Sequence, residues 1–89
     1  MDNRREPRQQ IIGDICWSYA SEANENMGVL IEESKSGMSM MTYNPVKSGS
    51  ILRVECRGSW REARYVTVKW CEEIAPNNYR CGLSLIKHY

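Results

Sequence analysis

Between Ile51 and Arg57 apolar and charged residues alternate one for one: Leu52, Val54 and Cys56 against Arg53, Glu55 and Arg57. Side chains of a β-strand point to opposite faces in turn, so this pattern predicts a strand with one buried face. The same period recurs along the chain. Ile11, Ile15, Trp17 and Tyr19 share one parity and Asp14 and Ser18 the other, predicting a strand over Ile11 to Tyr19. Val29 to Glu33 and Met38 to Tyr43 flank Ser34-Lys35-Ser36-Gly37, the composition of a hairpin turn. Ala63 to Ile74 is the longest candidate, with Val66, Val68 and Trp70 set against Thr67 and Lys69. Tyr79 to Ile86 follows Pro76-Asn77-Asn78, with Cys81, Leu83 and Leu85 on one side. Ser21 to Gly28 is polar and reads as a connection without core residues.

Six short antiparallel strands in 89 residues bury a core only by curling one face inward, since a flat sheet would leave that face and both edges in water. The expected fold class is therefore all-β, a small six-stranded antiparallel barrel of split-barrel type. Residues 1 to 10 (MDNRREPRQQ) carry three arginines and no apolar periodicity, and read as a flexible arm ahead of one barrel domain spanning 11 to 89.

Composition changes this picture little: 42% hydrophobic and 26% charged residues are those of an ordinary globular chain. A formal charge of +1 sets aside a generally basic coat for nucleic acid polymers. A barrel binding single-stranded nucleic acid would need exposed aromatics as well, and Trp17 and Trp70 fall on core parities, leaving only Trp60 in a turn. No apolar run approaches the ~18 residues of a membrane span, and the N-terminus lacks a secretory core, so membrane insertion is not expected and the expected compartment is the cytoplasm. Cys16, Cys56, Cys71 and Cys81 contain no Cys-x-x-Cys pair, which argues against zinc and for reduced thiols packing as small hydrophobes, with a disulfide framework as the second choice. Met38, Met40 and Met41 read as core filling. The single histidine, His88, is the penultimate residue, a position where fraying is common and a preorganised base is not expected, and no phosphate loop or nucleophile elbow is present. The expectation is a binding protein rather than an enzyme, with no cofactor and no metal.

Two motifs are unexplained by packing. Arg4 and Arg8 stand four apart with Arg5 between them, on a segment with no core role, and Glu32-Glu33-Ser34-Lys35-Ser36-Gly37 forms a tight turn. An Arg-x-x-x-Arg arm followed by an acidic-x-Ser-x-x-Gly turn resembles the PilZ domain, a bacterial receptor for the dinucleotide cyclic di-GMP. Gly37-Met38-Ser39-Met40, Ser48-Gly49, Val68-Lys69-Trp70 and Gly82-Leu83-Ser84-Leu85 keep the family's later order, so the resemblance spans nearly all of the chain.

The resemblance implies cytoplasmic signalling by cyclic di-GMP binding, with Arg4 and Arg8 as the paired arginines, Arg5 as an auxiliary, and Glu32, Ser34 and Gly37 as the turn motif. An arginine fork grips guanine O6 and N7 or a phosphate bidentately and stacks on a base. The carboxylate accepts from guanine N1 and N2 or braces an arginine, and the hydroxyl reaches a phosphate or base edge. It further implies a stand-alone adaptor passing the signal to a downstream protein. Two departures stand out: Glu32 replaces the family's Asp or Asn, one methylene longer, and the residues after the last strand are not expected to form the helix that many members carry there. Glu32 leaves a second reading open, a PilZ-like protein-interaction module that has lost the nucleotide.

Overall fold

The period-2 patterns are realised as six strands and no helix in a computed structural model that describes residues 12–87. They are β1 (Gly13–Tyr19), β2 (Asn26–Glu33), β3 (Gly37–Thr42), β4 (Ile51–Glu55), β5 (Arg64–Ala75) and β6 (Asn78–Leu85). All pairings are antiparallel, and the order β1-β2-β3-β6-β5-β4 closes on itself as a barrel. The closing seam joins β4 to β1, with Cys16 opposite Glu55 and Tyr19 opposite Leu52. Closure gives every strand two paired neighbours, the physical advantage that a barrel has over an open sheet of this size.

One side chain in two along each strand fills the interior. Ile15 and Trp17 from β1, Leu30 from β2, Met38 and Met40 from β3, Leu52 and Val54 from β4, Val66 and Val68 from β5, and Cys81 and Leu83 from β6 are all buried. Each large apolar side chain so removed from water contributes ~1.5–3 kcal/mol before the entropy of ordering is counted. Trp17 brings a polar atom into this interior, and its indole N–H donates to Thr42 Oγ1 at 2.9 Å. Thr42 Oγ1 in turn donates to the Met27 carbonyl at 3.1 Å, so the buried groups are paired.

The strand boundaries differ from the periodicity mainly at β2, which begins at Asn26, inside the stretch expected to be a coreless connection. Asn26 and Gly28 are poor strand formers, but the neighbours decide. Asn26 Nδ2 donates to the Trp17 carbonyl at 3.4 Å, and a Cβ at Gly28 would lie 2.7 Å from Met41 O. Val46, from the β3–β4 connection, is buried in the core although no alternation marked it.

The larger correction concerns Trp70. It was expected on the core parity with Val66 and Val68, yet it is 43% exposed. Val68 pairs with Leu83 and Trp70 with Gly82, the next residue back along β6, so Lys69 is an extra bulge residue that reverses the parity from Trp70 to Glu73. A second bulge, at Ile31, does the same in β2: Leu30 pairs with Met40, and Glu32 with Ser39.

Candidate functional site

The two bulges face the same side of the wall. Strict alternation from Leu30 and Val68 would place Glu32 and Trp70 in the barrel interior; with Ile31 and Lys69 inserted, both emerge on the outer face. They lie on one row across four strands, Glu32 opposite Ser39, Ser39 opposite Gly82, and Gly82 opposite Trp70. Arg80 stands one outward position away on β6, between Met41 and Glu72.

Glu32 Oε1 accepts a hydrogen bond from Ser39 Oγ at 3.2 Å and is 3.5 Å from an Arg80 guanidinium nitrogen. The carboxylate and the arginine are each about two-thirds buried, with side-chain exposures of 32% and 39%. The Arg80 Nε is buried without a hydrogen-bond partner, a cost of about 1–3 kcal/mol for a group of this kind. Beside them the Trp70 indole lies over Gly82, where any Cβ would overlap the ring. Glycine there leaves room for the indole against the strand, and the ring remains partly open to solvent.

The turn motif closes one end of this row. Ser34 N–H donates to Gly37 O at 2.8 Å and Ser34 Oγ donates to the same carbonyl at 3.3 Å, while Leu85 N–H donates to Ser36 O at 2.9 Å. The hydroxyl oxygen keeps lone pairs for an incoming donor. Gly37 is not in the left-handed region that a tight turn would demand. Its lack of a side chain serves the approach of β6 instead, since a Cβ would stand 2.5 Å from Leu83 O. Next to the turn, Glu33 pairs with Arg64 at 2.7 Å, and the Arg64 guanidinium covers the Trp60 ring at 3.9 Å. Trp60 is thus capped by a cation and packed on the core rather than presented as an open platform.

The structure therefore brings Glu32, Ser34 and Gly37 together at one end of the outer row and adds Ser39, Arg80 and Trp70, which the sequence reading left out. Arg4, Arg5 and Arg8 lie outside the described residues. The exposure of Trp70 also removes one of the two grounds on which single-stranded nucleic acid was set aside; the near-neutral charge remains. Among the described residues no group of three or more His, Cys, Asp or Glu is placed to hold a metal ion, and no helix is long and apolar enough to cross a membrane. No family model matches the sequence, and no match is found among curated proteins or solved structures.

Proposed function

We propose that the outer face of β2, β3, β6 and β5 is a binding surface for a guanine dinucleotide, cyclic di-GMP. The observation that carries the reading is the paired bulging: Ile31 and Lys69 turn Glu32 and Trp70 outward onto one row, beside Ser39 and Arg80. Bulges concentrate next to functional sites because they re-aim single side chains. A carboxylate to accept from guanine N1 and N2, a guanidinium to pair with phosphate, and an indole to stack on a base are the groups this ligand requires. Arg4 and Arg8 complete the site from the N-terminal segment and Ser34 from the turn, as the resemblance to the PilZ domain implies. Glycine at position 37 holds the turn against β6.

Glu32 has a distinct role in this reading. Its added methylene lets one oxygen meet both Ser39 and Arg80, so the carboxylate acts as a brace for the arginine as well as an acceptor for the base. The signal passes to a downstream protein through the surface that ligand binding reorders. The interaction-module alternative predicts the same fold with no nucleotide affinity. Amide chemical shifts followed during titration with cyclic di-GMP separate the two: binding moves Ser34, Gly37, Ser39, Gly82 and the Trp70 indole N–H together. Movement confined to the opposite wall, or none, overturns the reading.

A further inference from the structure

The bulge at Lys69 has a second consequence, on the inner side of the wall. By turning Trp70 outward it turns Cys71 inward, directly opposite Cys81 on β6, with the two sulfurs 3.4 Å apart. Directly paired residues of neighbouring antiparallel strands lie at Cα separations within the range a disulfide spans. The other two cysteines have no such relation. Cys16 pairs with Glu55, the residue before Cys56, and consecutive strand residues point to opposite faces. Cys16 instead approaches Met27 Sδ at 3.6 Å.

We propose that Cys71 and Cys81 are a redox modification site, closing reversibly to a cross-strand disulfide that clamps the base of the β5–β6 hairpin. Beyond this pair the hairpin carries the exposed residues 72–77, with Ile74 as a further bulge and Asn77 in the left-handed region at φ 62°. Its anchoring to the barrel rests on the strand pairing at its base, which the crosslink would reinforce.

Access assigns the order of events. Cys71 is partly exposed and Cys81 is fully buried, and burial holds the Cys81 thiol far above the ordinary thiol range. The Cys71 thiolate therefore attacks a small-molecule disulfide, forming a mixed disulfide and releasing one thiolate. Cys81 gives up its proton to that thiolate and attacks the Cys71 sulfur, expelling the second. Two protein thiols and one small disulfide become one protein disulfide and two small thiols.

The test is incubation of the full chain with oxidised glutathione, followed by intact mass and non-reducing peptide mapping. The expected product has lost two hydrogens, carries one crosslink between Cys71 and Cys81, reverts with dithiothreitol, and shows slower amide exchange over residues 72–79. Cys81→Ala is expected to trap glutathione on Cys71, because the resolving thiol is gone. A wild-type protein that stays fully reduced, retains glutathione on Cys71, crosslinks a different pair, or crosslinks without slower exchange overturns the proposal. The wild-type map stands without the variant should Cys81→Ala fail to fold.

Discussion

Arg80 reaches across β3 to Glu32, its guanidinium nitrogen 3.5 Å from Oε1, although their two strands are not paired with each other. Ser39, on the strand between, donates to the same oxygen at 3.2 Å. Glu32→Gln keeps the shape and removes the charge that holds Arg80. An ion pair about one-third exposed is worth about 1 kcal/mol, so the melting temperature should move by only a few degrees. Affinity for cyclic di-GMP, measured by calorimetry, should fall about tenfold or more, because a charge-assisted contact nets ~1.5–3 kcal/mol.

Trp70→Ala removes the stacking surface over Gly82. Stacking of a base on an aromatic side chain contributes ~1–3 kcal/mol, which corresponds to a loss of roughly fivefold to a hundredfold in affinity. Leu52→Ala, at a position with no exposure, is the contrast: it should cost ~2–5 kcal/mol of stability and leave the outer face intact. Chemical denaturation and ligand titration of the two variants should show these opposite profiles.

Gly37→Ala drives a methyl into the Leu83 carbonyl, a backbone atom that can yield only by parting β3 from β6. A destabilisation of about 1–3 kcal/mol is expected. Hydrogen exchange should localise it, with faster exchange in Gly37–Thr42 and Asn78–Leu85 than in β4.

Under reducing conditions the barrel should lose stability in alkali through Cys81. Burial raises this thiol's folded pKa far above its unfolded value, so the folded state holds the proton more tightly. The stabilisation is fully present below about pH 8.5 and is lost as pH rises above it, at up to about 1.4 kcal/mol per pH unit. Denaturation curves from pH 7 to beyond pH 9 should show the slope in the parent protein and a flatter one in Cys81→Ala; equal slopes would assign the effect to other groups.

The barrel was legible where alternation runs unbroken. Leu52 and Val54 in β4, Val66 and Val68 in β5, and Leu83 in β6 sit inside as their period implies. Two single-residue insertions defeat the same logic further along those strands and in β2. Nothing in the types of Ile31 or Lys69 marks them as bulges, because both residues are at home in a strand, and the shift is defined only by the partner's register. Alternation alone therefore puts Trp70 inside. Arg80 and Ser39 escaped notice for a related reason: their link to Glu32 exists only once β2, β3 and β6 lie side by side. The turn motif was visible because its residues are contiguous, yet the reason for glycine at position 37 lies in β6.

Calorimetric titration of the full chain decides whether this face, with Arg4 and Arg8, takes up cyclic di-GMP. Micromolar or tighter binding is expected, with a loss of at least about tenfold in Arg8→Ala and an unchanged melting temperature for that variant without ligand. No heat at millimolar ligand, or an Arg8→Ala protein that binds as the parent does, would contradict it.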